Sequence, residues 1–142
     1  MKLFVDLDGV LVNQTGRDGF DVMPWTLDGK ELWMYIKAFR PTILSQRSPD
    51  IYDRGSAQKR GWCDRELGPD VPLIVVRAWY YDTLKFVYSS TGAVLIDDHY
   101  DQHQPAWVKR GGMFIHHVSA ENTIRELQAL LGVDSYYEEE AV

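Results

Sequence analysis

Five short apolar runs are spaced along the chain: Leu3-Phe4-Val5, Thr42-Ile43-Leu44, Pro72-Leu73-Ile74-Val75-Val76, Ala93-Val94-Leu95-Ile96 and Met113-Phe114-Ile115-His116. Runs of this length without polar alternation read as strands buried on both faces. The stretches between them carry helical signals. Thr26 or Asp28 caps a helix through Phe39, with Leu32, Ile36 and Phe39 on one face, and Arg40-Pro41 ends it. Ser48-Pro49 is a helix start for a segment from about Asp50 to Leu67, weakened inside by Gly55 and Gly61 and closed by Gly68-Pro69. Trp79 to Ser90 is ambiguous, and a short helix near Asp82 to Tyr88 is the favoured reading. Gln104 to Arg110 reads as a short helix stopped by Gly111-Gly112. Ser119 caps a last helix that buries Ile124, Leu127 and Leu131 and ends at Gly132. Asn13 to Pro24 is polar and reads as a loop or a short β-hairpin flap with Gly16 to Gly19 near its tip. Strands alternating with helices in this way predict an α/β fold, a doubly wound parallel sheet of about five strands with helices on both faces.

Ligands on such sheets bind at the carboxyl ends of the strands. Several chemistry-bearing residues fall there. Asp6 and Asp8 follow the first strand, and residues i and i+2 of an extended segment point the same way. Two carboxylates facing one space repel each other, so a cation or a shared proton is expected between them. Mg²⁺, which takes a few carboxylates plus water and phosphate oxygens, suits such a strand end. An EF-hand calcium loop does not fit, because Val10, Leu11 and Val12 occupy its middle and no Glu closes it. Asp97-Asp98 forms a second acidic pair after the fourth strand. Carboxylates in that number at one sheet edge call for a divalent cation. Ser45 ends the second strand, where a hydroxyl can donate to a phosphoryl oxygen.

Asp6-Leu7-Asp8-Gly9-Val10-Leu11-Val12 after an apolar strand resembles the first motif of the haloacid dehalogenase (HAD) superfamily, mostly phosphatases. Leu95-Ile96-Asp97-Asp98 resembles its fourth motif. The resemblance implies that Asp6 is a nucleophile and Asp8 the general acid/base. It also implies that Mg²⁺ is held by Asp6, Asp8 through its backbone oxygen, and Asp98 with Asp97. Ser45 coincides with the second motif, and the backbone of Gln46 and the side chain of Arg47 are its neighbours. The family carries a Lys or Arg in the region before the fourth strand. Lys85 is preferred for that role over Arg77, Lys109 and Arg110, because Phe86-Val87-Tyr88 can dock its backbone near the sheet. Val94 to Gly112 looks like small bacterial and phage nucleotidase-like members. Many members insert a cap domain between the first two motifs; here 12–40 has room for a flap and one helix, which implies an open site. Phe20 and Trp25 lie on that insert and are the candidates to stack on a nucleotide base.

Composition narrows the function further. The chain of 142 residues reads as one domain over 1–135, with a loose acidic tail at 136–142. A net charge of −6 argues against nonspecific nucleic-acid coating and against an anionic membrane surface. The lone Cys63 fits a reducing compartment, and no apolar stretch is long enough to span a bilayer, so the expected location is cytoplasmic. His99, His103, His116 and His117 lack the spacing of a zinc motif. The expected activity is Mg²⁺-dependent hydrolysis of a phosphomonoester through an aspartyl-phosphate. The expected substrate is a small phosphorylated molecule such as a nucleoside monophosphate, with a phosphorylated nucleic-acid end as the larger option. Two rivals share the fold class. A phospho-accepting signalling receiver would need an acceptor Asp after the third strand, where Val76-Arg77 stands. A non-catalytic binding protein would have no need of Asp6 and Asp8.

Overall fold

The structure is a computed structural model that describes residues 1–13, 23–47, 54–77 and 84–132. Five strands form one sheet in the order β3-β2-β1-β4-β5: β1 (Lys2–Val5), β2 (Thr42–Arg47), β3 (Leu73–Arg77), β4 (Ala93–Asp97) and β5 (Met113–His116). All neighbours pair in parallel. The doubly wound sheet expected from the apolar runs is therefore present, with β1 at its centre. The chain builds outward from β1 through β2 and β3, then crosses back to β4 and β5. The reversal opens a crevice beside the end of β1, the place where open α/β sheets bind ligands.

Side chains alternate across the sheet and separate two cores. Leu3, Val5, Ile43, Val94 and Ile96 face Leu32, Trp33 and Ile36 of α1 (Gly29–Ile36), Trp62 and Cys63 of α2 (Arg54–Glu66), and Leu127 of α4 (Ala120–Leu131). Phe4, Leu44, Val76 and Leu95 face the other way, against Trp107 of α3 (Tyr100–Lys109). Phe4 and Trp107 meet edge to face at 5.5 Å, a favoured aromatic geometry. This parity decides which strand-end residues share a site. Residues 4, 6, 44, 46, 95 and 97 belong to the α3 face, and residue 45 belongs to the α2 face.

The helices differ from the sequence expectation in informative ways. α1 is followed by a 3₁₀ turn, Lys37–Phe39, so the expected single helix is two pieces; Arg40 closes it in the left-handed region at φ 51°. Asp28 stands at the N-cap of α1, yet its side chain makes no capping bond there. It accepts instead from the backbone N–H of Ala120 at 2.6 Å, joining the starts of α1 and α4. Ser119 caps α4 as expected, accepting from Asn122 N–H at 3.1 Å, and Gly132 ends it at φ 65°. α3 begins at Tyr100, four residues before the expected Gln104, with Pro105 inside it. The segment before β4 is a 3₁₀ turn at Leu84–Tyr88. Ser48-Pro49, the flap tip and the acidic tail lie outside the described residues.

The base of the expected flap is a hairpin: Val12 bridges Trp25 antiparallel, and Asn13 N–H donates to Pro24 O at 2.9 Å. Trp62 Nε1 donates to Met23 O at 2.8 Å, so α2 holds the returning arm. α1 then starts directly against the loop after β1. A Cβ on Gly29 would lie 2.5 Å from Thr26 Oγ1 and 2.8 Å from the Leu11 carbonyl oxygen. Gly61, inside α2, has open space around its Cβ position. Opposite effects are expected from one substitution. Gly61→Ala should raise stability by about 0.5–1 kcal/mol through helix propensity. Gly29→Ala should lower it by about 1–3 kcal/mol through overpacking. Urea unfolding of both variants checks the pair, and a stabilising Gly29→Ala would show that α1 does not sit on the Leu11 carbonyl.

Candidate active site

The end of β1 turns sharply after Asp6. Leu7 O accepts from the N–H groups of Leu11 and Val12 at 3.0 and 2.9 Å, and Gly9 takes φ 79°, a conformation that costs glycine nothing. A Cβ on Gly9 would run into the Asp98 carboxylate. The glycine of Asp6-Leu7-Asp8-Gly9 therefore serves two ends: the turn itself and the space into which Asp98 fits. Asp6 N–H donates to Ile96 O at 2.9 Å, which extends the β1–β4 pairing and sets Asp6 beside Asp97.

Lys85 joins them. Its Nζ donates to Asp6 Oδ1 at 2.9 Å and to Asp97 Oδ2 at 2.7 Å, and all three side chains are at least 95% buried. Asp97 uses its second oxygen to accept from His99 N–H at 2.9 Å. Both Asp97 oxygens are thus engaged. Asp98 differs, with a buried Oδ1 that has no hydrogen-bond partner. Burial, followed by the nearby Asp6 carboxylate, pushes the Asp98 carboxyl up to about 7. Burial also raises Asp6, against the opposing pull of the Lys85 ammonium. Lys85 is raised as well, the two carboxylates outweighing its burial.

Asp6, Asp97 and Asp98 can bring one oxygen each within 4.8 Å of one another. Three carboxyl groups share one ammonium, an excess of acidic groups that disfavours full ionisation without a further cation. Hard oxygen donors, that excess and the orphaned Asp98 oxygen together fit a divalent cation of the Mg²⁺ type. Asp8 lies outside this carboxylate cluster. Its side chain turns to a second lysine, Lys59 of α2, whose Nζ donates to Asp8 Oδ2 at 3.1 Å, Ser45 Oγ at 2.6 Å and Gln46 O at 2.6 Å. Burial raises the Asp8 carboxyl above its ordinary value, against the Lys59 charge.

A cavity of about 100 Å³ is lined by Asp6, Asp8, Gln46, Lys85, His99, Gln102 and His103. That is the scale of a phosphoryl group. Gln46 reaches it because residue 46 points to the α3 face. Ser45 does not: it is fully buried, belongs to the opposite face, and its oxygen is taken up by Lys59. Trp25 packs against α2. Its ring lies 5.0 Å from that of Trp62, its Nε1 donates to Glu66 at 3.3 Å, and it does not line the cavity. Phe20 lies outside the described residues, as do the side chains of Arg47 and Arg77. Arg110 stacks on Phe86 at 5.6 Å and Lys109 is exposed.

Sequence reasoning missed Lys59 and His103. The signal for Lys59 was present: it lies three and four residues before Trp62 and Cys63, on the helix face that those apolar residues bury. A lysine on such a face requires an anionic partner. His103 is buried 3.8 Å from Asp97 Oδ2. Burial, and then the Lys85 charge, lowers it to about 4, so it stands neutral at pH 7 as part of the cavity wall.

No protein-family model matches the sequence, and no curated protein matches it. Two solved structures match in fold. The D,D-heptose 1,7-bisphosphate phosphatase of B. bronchiseptica, complexed with magnesium and phosphate, aligns at TM-score 0.51 and 13% identity, over 89% of this chain and 99% of that one. The corresponding phosphatase of Burkholderia thailandensis aligns at TM-score 0.48 and 12% identity, over 89% and 98%. The α/β fold expected from the apolar runs is therefore the fold shared with the magnesium- and phosphate-complexed phosphatase.

The Lys85 bridge is the test of how the acidic cluster is held. Lys85→Met should destabilise the protein by about 3–5 kcal/mol in metal-free buffer, the cost of leaving buried carboxylates without their partner. Urea unfolding measures it, and a loss below about 1 kcal/mol would mean that the bridge does not hold the cluster together.

Proposed function

We propose that this protein is a Mg²⁺-dependent phosphomonoester hydrolase that works through an aspartyl-phosphate on Asp6. The observation that carries the reading is that Lys85 holds Asp6 through one oxygen, while Asp98 beside it keeps a buried oxygen free. Lys85 leaves the other Asp6 oxygen, which lies against the Asp98 carboxyl, as the nucleophile. The fold shared with a magnesium- and phosphate-complexed phosphatase supports the same reading.

Asp6 attacks phosphorus; the new Asp6 oxygen–phosphorus bond forms as the bond to the leaving oxygen breaks. Asp8 gives its proton to that oxygen, and its raised pKa favours its starting protonated. Asp8 then takes a proton from water as the water attacks phosphorus, which breaks the bond to Asp6 and releases inorganic phosphate. Lys85, already oriented by Asp97, offsets charge on the transferring group. Asp6, Asp98 and the Asp8 backbone oxygen are the groups that would hold Mg²⁺. When bound, it neutralises the acidic cluster and polarises a phosphoryl oxygen.

The finer reading is a nucleoside monophosphate as substrate, which would make the protein a 5′-nucleotidase. The acidic net charge disfavours long polyanions such as phosphorylated nucleic-acid ends. Gln46 keeps a buried side-chain oxygen without a partner at the cavity, an acceptor suited to a sugar hydroxyl. Base stacking by Trp25 is not part of the proposal, because Trp62 and Glu66 hold that ring elsewhere.

Asp6→Asn should abolish turnover of an aryl phosphate while leaving the thermal melt of the fold intact; near-native turnover in the folded variant would sink the mechanism. Millimolar Mg²⁺ should raise the melting temperature of the wild type and restore activity after EDTA. The same addition should leave the melting temperature of Asp98→Asn nearly unchanged, and an equal shift in both proteins would remove Asp98 from the metal site. Rates across mononucleotides, sugar phosphates and 5′-phosphorylated oligonucleotides test the substrate. A higher kcat/KM for sugar phosphates would overturn the nucleotide class and leave the catalytic roles standing.

A further inference from the structure

We propose that the chain's own acidic segment 133–142 docks into a cleft at the amino ends of β2 and β3, placing Tyr136 and Tyr137 against apolar walls and Glu138, Glu139 and Glu140 at Lys37 and Arg40. The cleft holds about 880 Å³ and lies at the end of the sheet opposite Asp6. One wall is the end of α1 with the 3₁₀ turn behind it. The other is the end of α2 with the chain that enters β3. Trp33, Met34, Leu67 and Val71 make it apolar. Met34 is 62% exposed, a large thioether left to water on a helix that buries Leu32, Trp33 and Ile36.

Charge on the two rims differs. Lys37 and Arg40 stand on the α1 side, both exposed, and neither side chain has an ion pair or hydrogen bond among the described residues. Arg40 is also the one non-glycine residue among them in the left-handed region, at φ 51°. Glycine would take that turn without cost, so what arginine adds at the position is its side chain. Glu66 and Asp70 stand on the α2 side. Glu66 is engaged by Trp25 Nε1 and Arg65, and both carboxylates can accept from a tyrosine hydroxyl. Segment 133–142 matches this lining: it carries Asp134, two tyrosines and three glutamates, and no basic residue. Tyrosine supplies a broad apolar ring with a polar tip, which an apolar cleft with carboxylates on its rim accepts.

The fold delivers the segment to that place. Asp28 and Ala120 join the starts of α1 and α4, which pack side by side and run from the carboxyl end of the sheet toward its amino end. Eight α-helical and three 3₁₀ residues carry α1 and its turn about 18 Å, and the twelve residues of α4 carry it about 18 Å as well. Gly132 therefore leaves α4 about level with Arg40. Tyr136 follows four residues later, a reach of about 13 Å when extended, which is enough to pass over a helix of about 10 Å diameter. The docked segment fastens the ends of α4, α1 and α2 together and leaves the Asp6 end of the strands open.

The test is zero-length cross-linking of the full chain with a water-soluble carbodiimide, read by peptide mass spectrometry. The reagent condenses a lysine amine with a touching carboxylate into an amide and itself takes up the water. At monomer mass, Glu138, Glu139 and Glu140 should join Lys37 about tenfold more than the exposed Lys2, Lys30 or Lys109, since an undocked segment on a loose linker would sample all four. Tyr136→Ser combined with Tyr137→Ser should cut the Lys37 product about tenfold through the lost ring burial. Peroxide should oxidise Met34 more slowly in the wild type than in this double variant by a similar factor, because the docked rings cover it. Equal coupling to all four lysines, or a Lys37 product that survives the double substitution, would overturn the docking. So would Lys37 coupling with Met34 oxidised equally fast in both proteins, which would put the segment outside the cleft. Coupling found only at dimer mass would overturn the intramolecular occupant and give the cleft to a second copy. The wild-type pattern of coupling decides without any variant.

Discussion

A buried ammonium shared by two carboxylates governs this molecule. Lys85 sits at the crevice between β1 and β4 and touches Asp6 on one side and Asp97 on the other. Neither carboxylate could remain charged there alone, because the desolvation cost of an ion in a protein interior is several kcal/mol. The pairing is therefore a condition for the two central strands to carry acidic residues at adjacent ends. It also explains the asymmetry of the acidic cluster. Asp97 has both oxygens engaged and is a fixed element of the scaffold; Asp98 has a free oxygen and space made for it by Gly9. A network with one unsatisfied member inside an otherwise satisfied set marks where a ligand completes the structure.

A second lysine applies the same logic one strand away. Lys59 pairs with Asp8 as Lys85 pairs with Asp6, so each carboxylate after β1 meets a different ammonium. The two lysines approach from opposite sides of the sheet, Lys59 from α2 and Lys85 from the turn before β4. Asp6 and Asp8 thus have different nearest cations although only one residue lies between them. Two carboxylates held by different partners can take different protonation states, which an attacking group and a proton donor require.

The strands and the acidic edge were legible in the sequence because their signals are local. An uninterrupted apolar run between turn residues leaves few alternatives to a buried strand, and an aspartate at its end falls on the ligand-binding edge by topology alone. What was not legible depends on parity and on distance. Ser45 and Gln46 are adjacent in sequence and lie on opposite faces, and the choice between them turns on a register of one residue. Trp25 followed the flap in sequence, and only the tertiary position of Trp62 shows where its ring goes. Asp28 looked like an ordinary N-cap, while its carboxylate is spent on Ala120, ninety-two residues later. Lys59 carried a readable sign, an ionisable residue on an apolar helix face, but its partners lie on β2 and in the turn after β1.

The central place of β1 has a consequence for how the chain is made. The first motif is synthesised before the rest of the sheet, and it is bare until its neighbours arrive. β2 brings Ser45 soon after, then α2 brings Lys59. Lys85 and Asp97 follow only when most of the chain has been synthesised, and Asp28 must wait for Ala120. An early fragment therefore exposes both edges of its most apolar strand beside two unbalanced carboxylates. Contacts of such long sequence separation close slowly. The acidic turn then works as a gatekeeper during synthesis, since like charges at the end of β1 oppose its pairing with another copy of the same nascent strand. The residues proposed for chemistry in the finished protein would thus keep the unfinished one from aggregating.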